Sequence, residues 1–117
     1  MGLTPPPSFP LVPRSRLGNP LLPGNYAYMV CYKLSWPEEN YVNLIAELKD
    51  QSFRWMHFIP NVWFVLRRET LVDLAALLRA CILASDWLIV MPAKGPADGI
   101  LPVEGWNWIK EFIPREW

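Results

Sequence analysis

Residues 53–66, FRWMHFIPNVWFVL, constrain the fold of this chain more than any other stretch. They form two short runs in which both alternating faces are largely apolar, and such runs predict two β-strands. Pro60 has no amide proton to donate to a strand ladder, so Ile59-Pro60-Asn61 is predicted to be the tight turn of a hairpin. Since both faces are apolar, one should pack on helices, while the other is an interface candidate unless something covers it.

A further apolar strand is predicted beyond each side of this hairpin. Strand 1 spans Asn25–Leu34, where aromatic and aliphatic side chains alternate with smaller apolar ones until Lys33. Strand 4 is the wholly apolar run Trp87–Met91, which is closed by Pro92. Strands that are apolar on both faces are typical of central positions in a sheet.

An amphipathic helix is predicted on each side of the hairpin. The first starts with Ser35 as its cap and Pro37 in its first turn, and it ends near residues 50–52. The second opens at Thr70, which forms a capping-box-like pair with Asp73 three residues later. The predicted buried stripes are Tyr41, Leu44, Ile45 and Leu48 in the first helix and Leu71, Leu74, Ala75, Leu78 and Ile82 in the second.

The element order predicts an α+β fold, a ferredoxin-like βαββαβ sandwich with a four-stranded antiparallel sheet and two helices on one face. A short C-terminal helix follows at Gly105–Ile113. Right-handed crossovers place strands 1 and 3 in the centre of the sheet. The opposite sheet face then carries Trp63 and His57, or the residues that alternate with them. We expect that face to form a dimer or to be covered by the C-terminal segment.

The chain divides by composition at residue 24. Seven of its 13 prolines lie in residues 1–24, which predicts a flexible proline-rich tail that is native, an over-extended start or a cloning remnant. Residues 25–117 are predicted to form a single domain. No apolar run is long enough to span a membrane, and the N-terminus lacks the pattern of a secretory signal, so a cytoplasmic protein is expected.

Charge and cysteine content narrow the classes of function. The formal net charge is +0, from 11 basic and 11 acidic residues, which argues against non-specific binding of polyanions by the monomer. Cys31 and Cys81 have apolar neighbours and belong to no metal-ligand pattern, so two buried thiols are expected, with a disulfide or metal role as the alternative. The sequence predicts no cofactor and no metal site.

Four stretches together resemble the SinR-like small proteins, which are similar in turn to CRISPR-associated protein 2 and VapD. These are residues 28–34, the hairpin RWMHFIPNVWFVL, the helix that opens at Thr70 and residues 87–96. The resemblance covers roughly residues 26–113. It implies a ferredoxin-like fold and a symmetric homodimer built on the sheet.

The resemblance also implies where a nuclease site would lie. In nuclease members, an Asp that follows Tyr or Phe at the end of the first strand binds a divalent metal; the matching pair here is Tyr32-Lys33. A lysine cannot ligate Mg²⁺, which prefers oxygen ligands. The Ser that begins the third strand in the family corresponds to Asn61. Both departures argue against a metal-dependent nuclease.

The leading hypothesis is therefore a non-enzymatic homodimeric interaction or scaffolding module. One alternative is a ribonuclease or toxin-type nuclease that uses His57, although an amphipathic ring on a half-buried strand also accounts for this histidine. Another is a nucleic-acid-binding dimer without cleavage, in which Lys33 with Arg54 or Arg67 meets phosphate while aromatic rings stack on bases. A solvated Lys33 and a solvated Arg67-Arg68 turn are the simpler interpretations. The candidate binding residues are Lys33, Arg54, Asn61 and Trp63.

Overall fold

The computed structural model describes residues 25–114, and the predicted tail at residues 1–24 lies outside them. The described residues form an α+β fold with a four-stranded antiparallel sheet and three α-helices. The strands are β1 (Tyr26–Lys33), β2 (Arg54–Ile59), β3 (Val62–Arg67) and β4 (Trp87–Pro92), and the helices are α1 (Val42–Asp50), α2 (Leu71–Arg79) and α3 (Val103–Phe112). Within this part of the chain, no helix is long and apolar enough to cross a membrane.

The sheet order is β2-β3-β1-β4, so β1 and β3 are central, as the crossover argument predicted. β1 pairs with β3 in a register that sets Val30 opposite Trp63, and it pairs with β4 with Val30 opposite Val90. The predicted turn joins β2 to β3, with Asn61 at a φ of 66°, a left-handed conformation that Asn tolerates better than most residues. The predicted hairpin is therefore confirmed, and β2 and β4 form the two edges.

Helices α1 and α2 pack on the same face of the sheet and form the main core with it. Alternate residues of β1 and β3 point to this side, because successive side chains of a strand face opposite ways. The buried members are Tyr28, Val30 and Tyr32 of β1, Trp63 and Val65 of β3, Leu44 and Leu48 of α1, and Leu74 and Leu78 of α2. We call this side the helix face.

The other side of the sheet is covered only in part, by α3. A smaller cluster contains Leu66 of β3 and Ile113 just after α3, with Trp108, Ile109 and Phe112 packed against it. Gly105 of α3 lies so close to β2 that a Cβ there would be 3.3 Å from the Phe58 ring. The C-terminal segment thus packs on β2, β3 and the start of β1 at Ala27, while the same side of the rest of β1 and of β4 stays open.

The predicted start of the first helix was wrong. Ser35 does not cap it; the chain makes a short 3₁₀ turn at Glu38–Asn40 and α1 begins only at Val42. The Ser35 amide instead donates to Asp86 Oδ1 at 2.7 Å, and its hydroxyl lies 3.0 Å from Ser85 Oγ. This tertiary contact across to the start of β4 replaces the local cap. Tyr41 is fully buried although it precedes the α-helix.

The start of the second helix was predicted correctly. The Asp73 amide donates to Thr70 Oγ1 at 3.3 Å, which is the expected cap. The helix ends at Arg79, so Ile82 of the predicted stripe packs on the core from the turns that follow. Leu71 was wrongly predicted to be buried, since it lies in the first turn and is 36% exposed.

The interpretation of Arg67 as part of a solvated turn was also wrong. Its side chain is buried on the helix face and donates to Glu47 Oε2 at 2.6 Å and to Glu69 Oε1 at 2.9 Å. It also donates to the Glu47 carbonyl at 2.7 Å. Burial alone would lower the pKa of Arg67, but the hydrogen bonds and charges of Glu69 and Glu47 outweigh it and raise that pKa. This guanidinium therefore ties α1 to β3 and is not available to an anion.

Candidate functional site

His57 lies on β2, on the helix side of the sheet, and supports the neighbouring core. Its Nδ1 lies 2.8 Å from the Val62 carbonyl oxygen, which only accepts, so Nδ1 carries the proton. The imidazole stacks on Trp63 with ring centroids 4.0 Å apart and an interplanar angle of 5°. These contacts orient the ring and cover the edge of the core.

Trp63 is 1% exposed and belongs to the helix face. Its Nε1–H donates to the Tyr32 hydroxyl at 2.8 Å, and that hydroxyl donates in turn to the Glu38 carboxylate. Burial, and then the hydrogen bond to Glu38, raise the pKa of Tyr32 far above its ordinary value, so this phenol stays protonated. Trp63 and His57 are therefore structural anchors, and the open side of the sheet carries the residues that alternate with Trp63.

Lys33 and Asn61 lie at the same end of the sheet. The Tyr32 amide donates to the Asn61 carbonyl at 3.1 Å, which brings the hairpin turn beside the end of β1. Lys33 pairs in register with Trp87, and its Nζ is 5.7 Å from the centroid of the Trp87 ring. A small cavity of about 130 Å³ here is lined by Lys33, Leu34, Ser35, Ser85 and Trp87.

Arg54 lies at the opposite end of the sheet. It pairs in register with Leu66, and Leu66 pairs with Ala27 at the beginning of β1. Its guanidinium donates to the Phe53 carbonyl at 2.8 Å and lies 5.9 Å from the Phe112 ring. Of the four candidate binding residues, the structure thus brings together Lys33 and Asn61, separates Arg54 from them and buries Trp63.

An exposed apolar surface lies on the side of β1 and β4 that α3 leaves uncovered. Trp87 is 71% exposed, Ile89 55% and Met91 43%, and all three point the same way from the edge strand β4. Met29 and Cys31 of β1 are their half-buried register partners. We call this surface the open half, with the members Met29, Cys31, Lys33, Trp87, Ile89 and Met91.

A groove separates the open half from α3. It has a volume of about 250 Å³ and lies between Met29 and Met91 on the sheet and Ile109 of α3. Phe64, Pro92 and Ala93 contribute further apolar walls. The open half is therefore bordered on one side by an apolar groove, which suits an apolar side chain from another molecule.

The sequence indicated an open sheet face but not which strands would form it. The runs of β1 and β4 are apolar on both faces, which only shows that each face needs cover. The position of α3 decides which part remains uncovered, and α3 was predicted without a docking site. Among residues 25–114, no group of three or more His, Cys, Asp or Glu side chains is placed to hold a metal ion.

No family model, curated protein or solved structure matches this chain.

Proposed function

We propose that this protein is a non-enzymatic interaction module that forms a homodimer through the open half of its sheet. The observation that carries the proposal is the exposure of Trp87, Ile89 and Met91 in one row on an edge strand. A contiguous apolar surface of this kind typically marks a contact with another molecule. The edge strand β4 also carries no charged residue, and charged side chains commonly protect such edges against association.

Charge and composition support a second copy as the partner. The only charge on the open half is Lys33, and its Nζ already faces the Trp87 ring. The formal net charge of the chain is +0, so two copies do not repel each other over long range.

The proposal includes a ferredoxin-like fold and a kinship with the SinR-like proteins and CRISPR-associated protein 2. The element order, the central β1 and β3, and the placement of α1 and α2 on one face support this assignment. A cytoplasmic location belongs to the same proposal. It is supported by Cys31, which is a free thiol, and by Cys81, whose Sγ donates to the Leu77 carbonyl at 3.4 Å.

The direct test is the mass of the protein in solution. Ile89→Glu places a charge in the middle of the open half, where it would have to be desolvated in a dimer. We expect sedimentation equilibrium to give a dimer for the unaltered protein and a folded monomer for Ile89→Glu.

Val72→Glu is the matched control, since Val72 is 76% exposed on α2, on the other side of the sheet. This variant should keep the dimer mass. An unaltered protein that sediments as a monomer at every concentration would refute the proposed function.

A nucleic-acid-binding dimer is the second candidate, and the cluster around Lys33 favours it. An ammonium group, two neighbouring serine hydroxyls and a largely exposed indole meet at one end of the sheet. An exposed indole can stack on a base while the ammonium meets phosphate. Asp86 beside Ser35 opposes this function, because its carboxylate stays charged.

Fluorescence anisotropy with labelled single-stranded RNA separates this candidate from the first. If it holds, Lys33→Ala should weaken binding about tenfold at low salt, whereas Lys94→Ala, at the other end of β4, should not. No binding by the unaltered protein would exclude this candidate. Cleavage of the RNA that is lost in His57→Ala would instead support the ribonuclease alternative.

A further inference from the structure

A second exposed apolar feature lies on the segment between β4 and α3. Ile100 is 98% exposed and Val103, three residues later, is 73% exposed. These two side chains are the most exposed aliphatic residues of the described chain apart from Val72 on α2. We call Ile100 and Val103 the knob.

The knob is held in place by its surroundings. Gly99 has a φ of +147°, which L side chains rarely adopt, and its amide donates to Asp98 Oδ1 at 2.7 Å. Leu101, the neighbour of Ile100, is half-buried, and a Cβ on Gly105 would lie 3.3 Å from the Leu101 Cβ. Near the start of the segment, the Gly95 amide donates to the Pro114 carbonyl at 2.8 Å. Ile100 therefore projects from a turn that is anchored on both sides.

We propose that the knob of one copy packs on the open half of a second copy, and that the second copy returns the same contact. This inference rests on the proposed function, because it names the surface that meets the open half in the dimer. Each chain carries one knob and one open half. In a dimer with a two-fold axis, each knob therefore covers the open half of the other copy, and both surfaces are buried in both copies. A one-way contact would instead leave a knob and an open half free at the two ends and would build chains of molecules.

The exposed area is of the right size for this arrangement. Trp87, Ile89, Met91, Ile100 and Val103 together expose on the order of 600 Å² in each copy, taking a large side chain as about 150–250 Å². A standard interface buries roughly 800 Å² from each partner. The two apolar features thus account for most of a stable interface, and flanking backbone and polar atoms supply the remainder. The knob is also aliphatic and uncharged, which suits a contact with the apolar row of Trp87, Ile89 and Met91.

The test uses Ile100→Asp and Ile89→Lys, each studied alone and then in an equimolar mixture. Each substitution alters two symmetry-related contacts, so each alone should raise the dimer dissociation constant by at least about 100-fold. In the mixture, one contact between the chains is unaltered, and the other sets the introduced carboxylate of one chain against the introduced ammonium group of the other. We therefore expect the mixture to form a heterodimer, seen as recovery of the dimer mass in sedimentation equilibrium.

Ile100 is so exposed that its substitution should leave the fold intact, which the thermal unfolding of Ile100→Asp can verify. If Ile100→Asp keeps the dimer while Ile89→Lys and Ile89→Glu lose it, the knob proposal is refuted and the proposed function stands. Two monomeric variants that do not recover the dimer on mixing would refute the reciprocal contact. If the unaltered protein is a monomer, both proposals fail. Val72→Asp is the matched control for adding one carboxylate at an exposed aliphatic position.

Discussion

The two faces of the same four strands differ in how completely they are covered. On the helix face, Trp63 and Val65 are buried under α1 and α2, and their polar neighbours are hydrogen-bonded. On the opposite side, α3 covers β2 and β3 and leaves Trp87 and Ile89 of β4 in contact with solvent. Because a strand presents alternate residues to each side, equally apolar side chains are buried on one side of the sheet and exposed on the other. The helix face stabilises the monomer, and the open half is left for association.

The largest difference between the faces should appear when a tryptophan is removed from each. Trp63→Ala deletes a fully buried ring and its hydrogen bond to Tyr32, so we expect a loss of about 5 kcal/mol in the free energy of unfolding. Trp87→Ala should change it by less than about 1 kcal/mol. Urea unfolding of both variants, each made in the Ile89→Glu background, measures these changes in the free energy of unfolding without a contribution from dimer dissociation. Equal losses would contradict the division of the sheet into a covered and an open face.

A buried charge provides the next comparison. Arg67→Leu leaves Glu47, which is 3% exposed, without its guanidinium partner, and we expect a loss of about 3–4 kcal/mol. The control is Arg54→Leu, because Arg54 is exposed beside Phe112 and should contribute less than about 0.5 kcal/mol. Chemical unfolding at neutral pH gives both values. A loss below about 1 kcal/mol for Arg67→Leu would show that the ion pair is not needed for stability.

The smallest predicted effect depends on pH and concerns Asp86. Its carboxylate accepts from the Ser35 and Leu83 amides and from the Tyr41 hydroxyl. Burial alone would raise the pKa of Asp86, but these hydrogen bonds outweigh it and lower that pKa below its ordinary value of 3.8. The stabilisation is therefore fully present above about pH 4 and is lost as the pH falls through the lowered pKa of the folded state.

We expect Asp86→Asn to lose about 1.5–3 kcal/mol at neutral pH and less in acid, since the unaltered protein loses the same contribution there. Unfolding free energies at a series of pH values give the comparison, and Asp98→Asn, in the exposed loop, is the control. A constant difference between Asp86→Asn and the unaltered protein at all pH values would contradict the lowered pKa.

Local signals predicted the elements that depend on neighbouring residues. The alternation of residues 53–66 and the turn at Pro60-Asn61 predicted the hairpin, and Thr70 predicted the start of α2. Ser35 was a false signal, since its amide and hydroxyl are used in contacts with Asp86 and Ser85, which lie 50 residues away or more. A cap is a local preference of about 1 kcal/mol, which tertiary hydrogen bonds can override.

The candidate site was harder to predict than the fold, because it also depends on tertiary contacts between residues that are far apart in the sequence. Lys33 was expected to act with Arg54 or Arg67, but Arg54 is at the other end of the sheet and Arg67 is buried. Asn61, another candidate, does lie at the same end of the sheet as Lys33. No pattern along the chain shows that Ile100 is almost completely exposed. Exposure depends on which other segments pack nearby, and that information is distributed over the whole sequence.

The sequence by itself determined the element order, the hairpin and the central positions of β1 and β3. It also identified the buried residues Leu44 and Leu48 of α1 and Leu74 and Leu78 of α2. These follow from side-chain periodicity, turn chemistry and the handedness of crossovers, which act locally or apply to every chain. Only the tertiary structure decided that α3 covers β2 and β3, that Arg67 is buried between two carboxylates and that Trp87, Ile89 and Met91 stay exposed. The physical reason is that burial is a property of packed surfaces, and an apolar residue has the same sequence signal whether it faces its own core or a second molecule.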